Sequence, residues 1–134
     1  MTRDLKEVIG EVGFEKLFAG INPPAIVRGG VIRKLGTAGT IKRGTILAKS
    51  SGSAGDGKLV VLGNTAATNE TLTADCILTD DIDVGTANDE NVTVYVAGSF
   101  NLDACIVKSG YTITEDDIDV LRERGILFAT VQEP

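Results

Sequence analysis

No apolar run in this chain extends for more than a few residues before a glycine or a polar turn interrupts it. The 134 residues include sixteen glycines, well above the average usage of about 7%, and these fall between the runs instead of forming one flexible tract. Long amphipathic helices need longer periodic stretches; many short strands joined by tight turns meet the pattern. The clearest case is Val92-Thr93-Val94-Tyr95-Val96-Ala97-Gly98-Ser99-Phe100, where Val92, Val94 and Val96 alternate with Thr93, Tyr95 and Ala97. Period two is the mark of a strand with two distinct faces. Aromatics make up only 4% of the chain and Trp is absent, so the core has to be built from Val, Ile, Leu and Ala, a composition that suits strands.

Read along the chain, Leu5, Val8, Ile9, Val12, Leu17 and Phe18 follow helical spacing from Arg3 to Ala19, interrupted by Gly10 and Gly13. Gly20-Ile21-Asn22-Pro23-Pro24 forbids helix and favours extended chain, which divides an N-terminal arm, residues 1–24, from a single β-rich body, residues 25–134. Within the body, strands are expected at Ala25–Ile32, Gly39–Ala48, Lys58–Gly63, Ala74–Ile82, Val92–Phe100 and Ile126–Val131. Ser50–Gly57, Asn64–Thr73 and Gly85–Asn91 read as loops or turns. Asn101–Val107 fits either a helical turn or a strand. Thr114-Glu115-Asp116-Asp117 opens a helix of about 115–124: Thr114 caps, Asp117 stands at the capping-box position, and the carboxylates favour the positive end of the helix dipole. Arg122 and Arg124 complement the other end, and Gly125 supplies the left-handed cap. The fold class is mainly β (α+β), a compact body with one or two short helices.

The formal net charge of −6 argues against nucleic acid or an anionic membrane as partner, since both require a basic face. The first residues lack the pattern of a signal peptide, and no run approaches the roughly 20 apolar residues of a membrane span, so synthesis in the cytoplasm is expected. With no histidine, Ser-His and Cys-His nucleophile pairs are excluded, and so are histidine metal ligands. Cys76 and Cys105 sit in apolar, strand-like contexts and read as buried free thiols. Gly52-Ser53-Ala54-Gly55-Asp56-Gly57-Lys58 has the spacing of a phosphate-binding loop, but Leu59 occupies the magnesium-ligand position and a β-like segment follows where a helix is required. The carboxylates of Asp80-Asp81-Ile82-Asp83, Asp89-Glu90 and Glu115–Asp119 do not match a calcium loop and read as solvated or capping groups. Lys42-Arg43 reads as a solvated strand edge. No catalytic, cofactor-binding or metal-binding residue is predicted. A carboxylate-dependent hydrolase, needing Asp81 and Asp83 to meet in a pocket, is a remote alternative.

Two paired segments carry a family resemblance: Cys76-Ile77-Leu78-Thr79-Asp80, and Val92–Phe100 continuing as Asn101-Leu102-Asp103-Ala104-Cys105-Ile106. With Phe14–Gly20 and Ile41–Leu47 upstream, in the same order, the chain resembles the lambda-like bacteriophage head decoration proteins. Tyr111–Thr114 leading into the capped helix is similar to longer members, whereas the lambda member lacks a helix-rich ending and has a less helical arm. The resemblance implies a β-tulip body, a homotrimer at local three-fold positions on the outer capsid surface of a virion, and an arm that orders on the major capsid protein. It assigns capsid contacts to Phe14, Leu17, Phe18, Ile21, Pro23, Pro24 and Ile26. A small β-barrel module binding carbohydrate or protein is the alternative reading, though two tyrosines and four phenylalanines make a thin aromatic platform.

Overall fold

The computed structural model describes residues 17–19 and 24–129. The helix expected over Arg3–Ala19, apart from its last three residues, lies outside the described residues, as do Phe14, Ile21, Pro23 and the end of the last expected strand. Among residues 24–129, eight strands and one α-helix follow in order: β1 (Ile26–Ile32), β2 (Gly39–Ile41), β3 (Ile46–Ser51), β4 (Leu59–Val61), β5 (Thr71–Leu78), β6 (Ile82–Val84), β7 (Glu90–Asn101), α1 (Glu115–Arg124) and β8 (Ile126–Ala129). The sheet runs β1-β4-β3-β5-β7, and a β1–β7 pairing closes it into a small five-stranded barrel. β8 adds to β7 in parallel, while β2 and β6 form a separate antiparallel ribbon.

Alternation along the strands sends side chains to two cores. One draws Ile32, Leu47, Leu59, Cys76, Leu78 and Val94 from all five barrel strands, with Ile41 and Val84 of the β2–β6 ribbon packed against them. It fills the barrel. The other takes Ile46, Ala48, Ile77, Tyr95 and Phe100 from the opposite face of the same wall and covers them with Leu17, Leu62, Leu121 and Ile126. The period-two pattern of β7 is thus a strand buried on both faces, Val94 turned inward and Tyr95 outward.

α1 forms where its sequence signals place it. Thr114 Oγ1 accepts the Asp117 N–H at 3.1 Å, Asp117 accepts the Thr114 N–H at 3.1 Å, and Gly125 closes the helix at φ +112°. Leu121 is the residue this helix buries completely, against β5 and β8.

Several boundaries differ from the sequence expectation, β7 for instance starting at Glu90 inside the expected turn Gly85–Asn91. The strand expected over Gly39–Ala48 is broken, because Thr45 donates to Lys42 O through both its N–H and its hydroxyl and Gly44 takes φ +89°. β5 starts at Thr71, inside the expected loop Asn64–Thr73, since Thr71, Leu72 and Thr73 pair with Ser51, Ser50 and Lys49. It ends at Leu78, and Ile82 belongs to β6. A bulge in the same pairing, between Leu47↔Cys76 and Ala48↔Ala74, leaves Asp75 as the extra residue. The open choice at Asn101–Val107 resolves into a 3-10 turn, Leu102–Ala104, followed by an isolated bridge from Thr45 to Ile106.

Polar ties hold the loop end of the barrel. Glu70 accepts from the Ala67 N–H, the buried Ser50 hydroxyl and the Arg33 guanidinium, and these bonds push its carboxyl down to about 2. Arg33 also holds Asp56 down to about 2. A carboxyl depressed in the folded state contributes stability above its unfolded pKa, about 4.3 for Glu, and loses it as pH falls through the folded value. Acid unfolding is therefore expected to set in between about pH 4 and pH 2, and Glu70→Gln is expected to flatten that limb in circular-dichroism titrations. An unchanged acid limb would show that Glu70 does not contribute to it.

Candidate functional site

Phe18, expected in the arm, packs against the body. Its ring stacks on Phe100 at 5.2 Å and meets Tyr95 edge-on at 5.3 Å, while Tyr95 and Phe100 contact each other at 5.5 Å. Such pairs add stabilisation beyond their buried area. An antiparallel bridge from Phe18 to Phe100, with the Ala19 N–H donating to Ser99 O at 3.0 Å, ties this segment to β7. Gly98 makes room: it takes φ +144°, and a Cβ there would stand 2.9 Å from the Phe100 ring. Leu17 beside it is 3% exposed.

Arg43 completes the cluster. It donates through one Nη1 to Thr79 O at 2.7 Å and to Tyr95 Oη at 3.2 Å, and its guanidinium sits 5.9 Å from the Phe18 and Tyr95 ring centres. The expected solvated edge therefore holds for Lys42, which is exposed, and not for Arg43. The difference arises from the turn at Gly44, which directs consecutive side chains apart.

Past the undescribed stretch 20–23 the character changes. Pro24 to Gly29 are all exposed, and Ile26 and Val27 are each 54% exposed despite lying in a strand. Of the seven residues assigned to capsid contact, the structure places Leu17 and Phe18 in the outer core and Pro24 and Ile26 on the surface; Phe14, Ile21 and Pro23 lie outside the described residues. Sequence reasoning missed Val27 and Val31, exposed on the same strand. The signal for Val27 was the apolar run Ala25-Ile26-Val27 directly after two prolines; Val31, beyond Arg28-Gly29-Gly30, had none.

The remaining motifs have structural employment. In Gly52–Lys58 the amides of Ala54, Gly55, Asp56, Gly57 and Lys58 already donate to Asn69 O, Gly52 O, Ser50 Oγ, Ser50 O and Asp56 Oδ1. Five of the seven amides of this loop are thus committed within the fold and do not converge on a phosphate. Asp81 accepts the Arg43 N–H, Asp83 the Thr40 hydroxyl, and Asp89 the Lys34 N–H and the Lys58 ammonium. Asp81 and Asp83 are thus tied to different partners. Among the described residues no three His, Cys, Asp or Glu side chains gather as a metal site. Both cysteines are free thiols, Cys76 buried and Cys105 half-buried. Burial pushes the Cys76 thiol far up and the Cys105 thiol to about 12, so both are poor nucleophiles.

A family model described as bacteriophage lambda head decoration protein D matches residues 20–126. No curated protein matches the chain. The matched span holds seven of the eight strands and the capped helix, and a structural, non-enzymatic family accords with carboxylates and amides committed to the fold. The chain belongs to the lambda head decoration protein D family and is a component of a phage head.

Proposed function

We propose that this protein coats the outer surface of an expanded tailed-phage shell as a homotrimer at local three-fold positions, and that residues 1–24 with the start of β1 reach onto the major capsid protein. The observation that carries this reading is the exposed run from Pro24 to Val27 at the root of the arm, an apolar surface that its own body leaves uncovered. Phe14, Ile21, Pro23, Pro24 and Ile26 supply the contacts, joined by Val27. Leu17 and Phe18 serve the arm differently, as its anchor in the body. Segments that order on binding have low affinity per unit area, and three linked copies restore it through effective concentration. A ligand that binds only the expanded shell stabilises that state by mass action.

Co-sedimentation with expanded and unexpanded shells tests the reading. Ile26→Asp combined with Val27→Asp replaces two exposed side chains, so melting should shift little. Sedimentation with expanded shells should weaken about a hundredfold, as for loss of two central apolar contacts. A double variant that coats expanded shells as the parent protein does would overturn the assignment.

A further inference from the structure

The barrel wall has a seam. β1 pairs with β7 along its full length, from Ile26↔Ala97 to Ile32↔Glu90, yet it meets β4 only at Ile32↔Leu59. Upstream of Leu59 the chain bends away to β3: the Gly57 N–H donates to Ser50 O at 3.1 Å, and Gly57 takes φ +75°. The two strands splay apart around a cleft of about 400 Å³, lined on one side by Arg28, Gly29, Gly30 and Val31, on the other by Asp56–Leu59, with Lys49 and Asp75 between them. The Arg33 N–H donates to Leu59 O across the closed end. Counting back by twos, Val31, Gly29 and Val27 turn their backbone groups away from β7. Among the described residues nothing pairs with Val27 and Gly29 on that side.

Two further features bear on what fills the seam. Gly29 has no atom within 4 Å of where a Cβ would stand, so its own fold does not require glycine there. A glycine inside a strand often marks close approach of another backbone. The second is charge. Asp75, whose side chain is 3% exposed, is matched by Arg28 at 3.5 Å and by Arg124 at 3.0 Å, and Asp56 is matched by Arg33. Lys49 is exposed and has no ion partner among the described residues. In a chain of net charge −6, the seam is locally positive. Asp75 Oδ2 has no hydrogen bond among the described residues and faces the Arg28 guanidinium at 3.5 Å, so the carboxylate is offset by cations at the seam.

We propose that the seam between β1 and β4 is a binding site for an extended acidic peptide segment of another protein. The segment adds as a strand to the free edge of β1 at Val27 and Gly29 and sets its carboxylates against Lys49 and Arg28. Backbone bonding to a sheet edge supplies affinity, and side-chain pockets supply selectivity. The proposal does not rest on the shell-coating reading, because the recognition elements are the edge and the cations, whichever protein carries the segment.

The test uses the full chain and two fluorescein-labelled peptides, one alternating glutamate with valine and one alternating lysine with valine. Anisotropy should rise saturably with the glutamate peptide and respond at least about tenfold more weakly with the lysine peptide. Amide exchange at Val27 and Gly29 should slow when the glutamate peptide is added. Gly29→Pro removes the outward N–H at an edge position where proline is tolerated, and should weaken binding about tenfold. Lys49→Glu, at an exposed side chain with no ion partner among the described residues, should weaken it severalfold and keep the proposal testable if the proline variant fails to fold. Absence of saturable binding, equal binding of the two peptides, or indifference to Lys49→Glu would each overturn the proposal.

Discussion

Replacing Phe100 with alanine is expected to cost about 3–5 kcal/mol, the range for truncating a buried phenylalanine. The side chain is 0% exposed and contacts two rings from separate parts of the chain, Phe18 and Tyr95. Neither neighbour is free to collapse into the space: Phe18 is pinned by its bridge to β7, and Tyr95 by its hydroxyl's bond to Arg43. Urea denaturation of the variant checks the value. Leu127→Ala, at a side chain 37% exposed, should cost far less and serves as the comparison. A loss below about 1 kcal/mol at Phe100 would mean that the aromatic cluster does not hold the outer core.

A truncation series should divide sharply at Leu17. Chains beginning at Leu17 keep both core side chains and the Ala19–Ser99 bond, and are expected to melt near the full-length temperature. Chains beginning at Gly20 lose Leu17 and Phe18 together. Each truncation to alanine would cost about 2–5 kcal/mol, and the pair will not add fully because the two are neighbours. A loss of at least about 2 kcal/mol remains, a sizeable share of the 5–15 kcal/mol that stabilises a typical domain. Calorimetric melting of the two truncated chains decides the matter; equal melting temperatures would contradict the anchor. The series also separates two roles that a single deletion of residues 1–24 would confuse, since that deletion removes the anchor along with any capsid contact.

The fold was legible where local chemistry speaks alone. Alternation revealed β7, and Thr114, Asp117 and Gly125 fixed α1 at both ends. It was less legible where tertiary pairing overrides composition. Thr71–Thr73 has a polar, loop-like sequence but becomes strand because Lys49–Ser51 presents an edge to it. Arg43 looked like a solvated charge, and only the turn at Gly44 and the nearby rings give it a partly buried place. Leu17 and Phe18 carried a helical period that says nothing about which molecule they pack against. The surface residues of the candidate site, Ile26 and Val27, were visible as apolar residues after prolines, whereas their exposure follows from the missing β1–β4 pairing, a property of topology.

The bridge between Phe18 and Phe100 has a mechanical meaning. A pull applied at Leu17–Ala19 enters β7 directly and bypasses the single Ile32↔Leu59 rung on the far side of β1. β7 is bonded to β1, β5 and β8 at once, so tension delivered there spreads through three strands before any one ladder must open. Such a load strains a braced beam, not an unravelling thread.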